Sequence, residues 1–444
     1  MKIFIILNNE KGAVLAIGLM FIALLTIAGT TGYIISSNDV NISANYKHSE
    51  QAFNDADAGV QYGIIKLENE LKAGGYLPSA VGDTMAIPGG SAPSGYSFAL
   101  SQLTKDGDNS YSFTSIGNAA RGSTTEIKAK IKRGSAIGLG AFGDTLLDSK
   151  SFAQYYSYDS RVLSNPSPGD STGEADVGSN GTVSFNNNTT VDGDVVLGNN
   201  GTNDATYSYT GTPNVTGEEG VHVGRVDPDP LNVNGQSFAD QFTYYSNIAN
   251  TKNGNNGGLP ADLTVSGSTV TLTSGNYYFT NILVKKQGSN PGIMIIDASG
   301  GPVNIYLEGA FETMADCQFN IINNSAANDV TLNITEPPGG IASNQRIVDL
   351  KHASGVNENG PPTGFTLKTD SDAILEFKNS SDVNGLIYAP NGNVQMKNSN
   401  NVHGAVWADV LEGKNSSILY YDTALRDKYK SNDILMTSWE QVLH

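Results

Sequence analysis

Cysteine, charge and arginine are all scarce in this chain, and each scarcity removes a class of explanation. The single cysteine, Cys317, cannot form an internal disulfide, so packing and backbone hydrogen bonds must hold all 444 residues. Only 16% of residues are charged, and 26 Lys and Arg face 44 Asp and Glu, a net charge of −18. Nucleic acid and anionic membrane surfaces both call for a basic patch, so this balance speaks against either as partner. Beyond Arg133 only Arg161, Arg225, Arg346 and Arg426 remain. His222, His352 and His403 are far apart and lack metal-ligand spacing. The acidic pairs Asp192/Asp194, Asp227/Asp229 and Asp370/Asp372 each fall in a Gly-, Pro- or Ser-containing turn, where Asp serves the backbone. "KDGDN" (105 to 109) lacks the further carboxylates of a calcium loop and reads as a turn between strands. With no convergent carboxylates and Arg, no Ser-His-Asp context and no phosphate loop, the sequence predicts no catalytic residue, metal or cofactor.

One long hydrophobic run is present. In "NNEKGAVLAIGLMF" (8 to 21) two charges precede a glycine, and no further charge occurs until Asp39. The run from Ala13 to Ile35 is about 23 residues, roughly 34 Å of helix, enough to cross a bilayer core. A secretory signal would be shorter and end in a small-x-small cleavage site. Helical patterning then continues: Phe53, Ala56, Val60, Ile64, Leu67 and Leu71 recur at intervals of three and four. Gly74-Gly75 and Pro78 mark the end. One helix is therefore expected over 13–72, apolar all round in its first half and amphipathic in its second.

A short leader ending in Lys11-Gly12, followed by an apolar stretch that becomes the spine, resembles a type IV prepilin signal. "NYKHSEQAFNDADAGVQYGIIKLE" (45 to 68) is similar to the helix signature of PilX-type minor pilins, at Ala52, Phe53, Ala56, Asp57, Ala58, Gly59 and Val60. The resemblance implies cleavage between Gly12 and Ala13 by a prepilin peptidase and N-methylation of Ala13. It also implies a single-pass inner-membrane protein with a cytoplasmic N-terminus that passes into an extracellular pilus. Its partners would be other pilins and the assembly platform. Two positions depart from the pattern: Ala13 stands where Phe is usual, and Ile17 where shaft pilins carry a Glu that pairs with a neighbour's amine. A carboxylate in hydrocarbon is costly unless paired, so Ile17 suits a priming subunit at the tip of a pilus or of a type II secretion pseudopilus. The leader "IFIIL" (3 to 7) is apolar where leaders are polar or basic.

After a Gly-, Pro- and Ser-rich loop, "SYSFTSIG" (110 to 117) and "TTEIKAKIKR" (124 to 133) alternate as a half-buried antiparallel hairpin. From Gly134 short aliphatic runs alternate with Asn and Gly, as in "DVGSNGTVSFNNNTTVDGDVVLGNNG" (176 to 201). "DVNGLIYAP" at Asp382 returns as "NVHGAVWAD" at Asn401, and "EFKNSS" at Glu376 returns as "QMKNSN" at Gln395 and "EGKNSS" at Glu412. These shifts of 19 and 17 residues, a period near 18 to 20 with an Asn-rich corner, fit one coil of a β-solenoid, with aliphatics stacked inside and Asn in ladders. The region also resembles the β-helical domain found behind PilX-type N-termini, which implies a right-handed parallel β-helix.

The expected fold is α+β, with leader 1–12, pilin helix 13–72, pilin-like β region 73–133, β-solenoid 134–430 and a C-terminal cap 431–444 plugged by Trp439. The expected function is a non-enzymatic minor pilin that primes assembly or displays an adhesive β-helix, its ligand a host-surface glycan or protein. A membrane-anchored, carbohydrate-active β-helix protein is the alternative from another class.

Overall fold

The structure, a computed structural model, describes residues 10–442 apart from 73–75, 79, 90–91, 108–109, 136–137, 224, 227–246, 248–257, 338, 343 and 352–354. The chain is α+β, a long N-terminal helix followed by a large strand-rich region. It divides into two compact units: Met1–Gly134 together with Asn432–His444, and Ser135–Ser431.

In the first unit, helix α1 (Glu10–Lys72) runs unbroken for 63 residues, about 95 Å. Strands β1 (Thr84–Met85), β2 (Phe98–Leu100), β3 (Leu103–Gly107), β4 (Ser110–Asn118) and β5 (Thr124–Ser135) form a sheet. Its order is β1–β3–β4–β5 followed by the C-terminal strand Lys430–Val442, with β2 on the flank of β4. β4 and β5 pair antiparallel from Ser110↔Lys132 to Asn118↔Thr124, as the alternation predicted. Tyr111, Phe113, Ile127, Ala129 and Ile131 face inward and meet Ala56, Val60, Leu67 and Leu71 of α1. β3 takes up Lys105–Gly107, part of the segment expected to be a turn, and pairs with β4.

The C-terminal strand corrects the sequence reading. It does not cap the second unit: residues 432–444 belong to the first. There Ile434 is buried and its N–H donates to Glu68 Oε1 at 3.2 Å. Trp439 packs on Phe53 with ring centroids 6.0 Å apart.

Every strand pair among the described residues of the second unit is parallel, and the pairs form three ladders. The first includes Gly275–Phe279, Val303–Glu308, Val330–Thr335 and Phe365–Thr369. It continues through residues 386–388 and 405–408 to 141–143 and Val177–Ser179. The second passes from Asp262–Ser266 through Arg346–Leu350, Ile374–Lys378, 393–397 and 410–414 to 146–149 and Thr182–Asn186. The third includes Thr269–Leu272, Ile293–Asp297 and Gln318–Ile322, and later Ile418–Asp422 and Gln154–Tyr158. The chain visits the three in turn.

The repeats seen in the sequence are in register: Asp382↔Asn401 through Ala389↔Ala408, and Glu376↔Gln395↔Glu412. Elsewhere the return is longer, 27 residues from Val303 to Val330 and 35 from Val330 to Phe365. Inward positions are apolar on each ladder, for example Leu332 and Leu367 on the first, Leu375 and Leu411 on the second, and Phe319 and Leu419 on the third. Each such burial stabilises by about 1.5–3 kcal/mol.

Stacking order is not chain order. The strand Ala141–Lys150 lies between residues 406–414 and the strands Val177–Ser179 and Thr182–Asn186. The first strands of the unit therefore cover the last, and Glu219–His222 and Asp262–Ser266 stand at opposite ends of the ladders. The end at which a cap was expected, at Ile418–Asp422, is therefore covered by the unit's own early strands.

Candidate functional site

The apolar half of α1 has no partner among the described residues: Val14, Ile17, Phe21, Leu25 and Ile35 are all more than half exposed. Two hydroxyls in this half are satisfied along the helix. Thr26 Oγ1 donates to Ile22 O at 2.7 Å and Thr30 Oγ1 to Thr26 O at 2.8 Å, so neither is a bare donor in an apolar medium. By length and composition this helix can cross a membrane. Gly12 and Ala13 lie in its first turn, and residues 1–9 of the leader lie outside the described residues.

Along the second half, the signature residues divide by role. Ala52 and Ala56 are fully buried, one turn apart, and leave a groove for β4. Gly117 of β4 enters it so closely that a Cβ there would collide with Ala52 O and Ala56 N. Gly59 has no room for a side chain beside Ser115 and Phe98, and a Cβ on Gly63 would lie 2.8 Å from Phe113. Phe53 meets Trp439. Asp57 is exposed. The signature thus fits the helix to its own sheet and leaves one carboxylate facing outward.

In the second unit the four arginines are each paired: Arg161 with Asp159 and Asp427 at 2.6 and 2.5 Å, Arg225 with Asp144 at 3.4 Å, Arg346 with Glu376 at 2.6 Å and Arg426 with Glu174 at 2.8 Å. Asp192 Oδ1 accepts from Thr216 Oγ1 at 2.6 Å, and Asp194 Oδ1 from the Glu218 N–H at 2.8 Å, so both brace a neighbouring turn. Asp370 Oδ1 accepts from Thr335 Oγ1 at 2.9 Å, and burial pushes its carboxyl up. Asp372 is exposed. His222 ends a strand in an exposed position. His403 stacks on Tyr420 with centroids 4.9 Å apart and meets Tyr158 edge-on. Burial lowers its pKa to about 4. Cys317 is buried. Asp227, Asp229 and His352 lie outside the described residues.

The sequence reading missed a feature that the repeats carry. On the outward side of the second ladder, Asp349, Glu376, Gln395, Glu412 and Asp148 form one column. Two residues further along each rung stand Lys351, Lys378, Lys397, Lys414 and Lys150. Lys351 meets Asp349 at 3.0 Å, Lys397 meets Glu376 at 3.2 Å, Lys414 meets Glu412 at 2.6 Å and Lys150 meets Asp148 at 2.5 Å; Lys378 pairs with Glu376. Burial alone would raise the Glu376 carboxyl, but the hydrogen bonds from Lys378 and Lys397 outweigh it and hold it low. These lysine side chains are 21–44% exposed and their partners in the acid column 4–19%, so the ammonium groups stand in front, although Lys351 also meets the more exposed Glu312 at 3.8 Å. The recurrent acid-x-Lys, already visible in "EFK", "EGK" and "DSK", was the available signal.

Between the second and third ladders the corner is built from stacked residue pairs in the left-handed region: Asn379-Ser380, Asn398-Ser399 and Asn415-Ser416, φ 55–60°. Asn398 Nδ2 donates to Asn379 Oδ1 and Asn415 Nδ2 to Asn398 Oδ1, both at 2.9 Å. Asn tolerates this conformation better than most residues.

Residues 11–61 match the family described as PilX N-terminal, and residues 242–428 match a domain of unknown function, DUF7305. The strands from Ala141 to His222 precede that second match and stack on its last strands. No curated protein matches the chain. Among solved structures, the competence-associated pilin ComZ from Thermus thermophilus is 14% identical, covering 89% of this chain and 98% of its own, with a TM-score of 0.24. An ice-binding protein from the Antarctic ascomycete Antarctomyces psychrotrophicus is 16% identical, covering 65% of this chain and 98% of its own, with a TM-score of 0.25. At such scores neither likeness bears on the arrangement of the chain. The N-terminal match falls on the helix whose signature residues seat the sheet, and it supports a type IV pilus-related minor pilin of the PilX type.

Proposed function

We propose that the chain is a minor pilin cut between Gly12 and Ala13, methylated at Ala13 and held in the bacterial inner membrane with its N-terminus in the cytoplasm. From there it enters an extracellular pilus at or near the tip. The observation that carries this reading is the continuity of α1: a wholly exposed apolar half passes without a break into a half that carries a sheet. Cutting before the apolar stretch keeps that helix for packing against other pilins. Ile17 supports a subunit with nothing above it, because it brings no carboxylate to neutralise a neighbour's amine.

In this reading the three parallel ladders are the faces of a right-handed β-solenoid that is displayed for adhesion. The mechanism is non-enzymatic: the helix supplies incorporation and the solenoid supplies contact. Mass spectrometry of the N-terminus, with and without prepilin peptidase, tests it. The expected product begins with methylated Ala13 only when the peptidase is present. An intact Met1, or a cut beyond Ile35, would sink the proposal.

A further inference from the structure

The three ladders differ in what their outward sides offer. On the first, the outward Phe142, Tyr306, Tyr388 and Trp407 are buried; Trp407 Nε1 donates to Leu139 O at 3.0 Å. On the third, Asn384 and Tyr420 are buried, while outward residues such as Gln318, Asn320 and Ile322 are exposed or half-buried but carry no repeated row of charge. On the second, outward residues are half-buried or exposed for most of its length, and there they stand in parallel rows. A half-buried row of Ile374, Asn393, Val410 and Leu146 runs beside the acid column. Next come the ammonium row and then the exposed corner amides of Asn398 and Asn415.

We propose that this strip is a binding surface for a linear anionic polysaccharide with one carboxylate per sugar, lying along the stack. The assignment rests on the reading of the unit as a displayed contact surface. Neighbouring rungs are about 4.7–4.9 Å apart, and an extended chain of pyranoses repeats at much the same interval. One sugar therefore spans about one rung, and because successive sugars turn about the chain axis, every second or third carboxylate faces the row of five lysines. Carboxylates on the side turned toward the row reach ammonium groups, hydroxyls reach a corner amide or Gln395, and apolar ring faces lie toward Val410 and Leu146. Gln395 interrupts the acid column, so Glu376 is shared by Lys378, Lys397 and Arg346, with Asp349 also 3.5 Å from Lys378. Positive charge is least compensated there, in the middle of the strip. A DNA duplex fits less well, because its phosphates curve away from a straight row.

The test uses the full chain in detergent, electrophoresed through gels containing polygalacturonate or neutral dextran. Polygalacturonate should retard the parent and dextran should not, and the retardation should fade as salt rises. Joint substitution Lys378→Gln, Lys397→Gln and Lys414→Gln should weaken binding by about tenfold or more, whereas the three Lys→Arg changes should retain it. Glu412→Gln, which removes no lysine, should tighten it. Equal mobility of the parent in both gels, an undiminished triple Gln variant or an unchanged Glu412→Gln variant overturns the proposal. So does tighter binding to duplex DNA or to phosphatidylglycerol vesicles than to polygalacturonate. The cut at Gly12/Ala13 is read on the same preparation, so a failed pilin reading (intact Met1) and a failed ligand assignment (no retardation) give different results.

Discussion

The helix–sheet unit and the ladder unit reach stability by opposite means. In the first, specificity rests on single close approaches, with Gly117 against Ala52 and Ala56, Gly59 against Ser115 and Gly63 against Phe113. Each occurs once, and nothing nearby repeats it. In the second, the same local solution recurs on successive rungs: an inward aliphatic, an outward acid-x-Lys and a left-handed Asn corner. A fault in the first has no neighbour to share it. A fault in the second is flanked by intact copies.

The largest expected effect tests the single-contact side of that contrast. Gly117→Val places atoms into the carbonyl of Ala52, which α1 cannot move without breaking its own hydrogen bonds. Overpacking against backbone should cost about 3 kcal/mol. The two tryptophans give one probe for each unit, since Trp439 packs on Phe53 and Trp407 is buried among the ladders. In a Trp407→Phe background, denaturant unfolding followed by Trp439 should shift by that amount. In a Trp439→Phe background the Trp407 transition should stay where it was, and a joint shift would refute the separation of the two stabilities.

Legibility in the sequence follows the same division. Periodic features could be read: the 382/401 and 376/395/412 repeats predicted register to the residue, and the alternation of 110–117 and 124–133 predicted the hairpin. The helix could be read because its apolar positions recur every three or four residues. What escaped was pairing between distant segments with no shared period. Nothing in "KSNDILMTSWEQV" states that it lies beside β5, since edge pairing is made by backbone groups that every sequence carries. The seating of Ala141–Lys150 on 406–414 was hinted at by Asp148-Ser149-Lys150 matching Glu412-Gly413-Lys414. Reading the chain as if it stacked in sequence order hid that match and produced the misplaced cap.

A second prediction turns to a place where the ladder unit departs from its own repetition. His403 occupies an outward column with Tyr420 and Tyr156, and burial holds its pKa near 4. The unfolded chain binds that proton from about pH 6.5 downward. Between the two values the unfolded state carries more protons, so stability falls as pH drops through that window. Asp382 and Asp422, whose carboxyls burial pushes up, act in the opposite direction and are common to parent and variant. His403→Tyr should therefore gain on the parent by about 2–3 kcal/mol between pH 7 and pH 4, read from urea midpoints by Trp407 fluorescence. A difference that does not change with pH would show that His403 is solvated in the folded state.

The smallest effect asks whether repetition shares cost. Asn398→Ala removes two amide contacts, to Asn379 and from Asn415, and leaves Ala at φ 55°. The left-handed conformation costs Ala about 1–2 kcal/mol. The two exposed hydrogen bonds add at most about 1 kcal/mol. Asn398→Gly loses the same contacts without the backbone strain, so the difference between the two variants isolates the strain. Asn379 and Asn415 have the same geometry one rung to either side. If the corner is a true repeat, the Ala-minus-Gly difference should be alike at all three positions in urea unfolding followed by Trp407. A difference confined to one position would mean that the ladder unit, like the helix–sheet unit, depends on a contact made once.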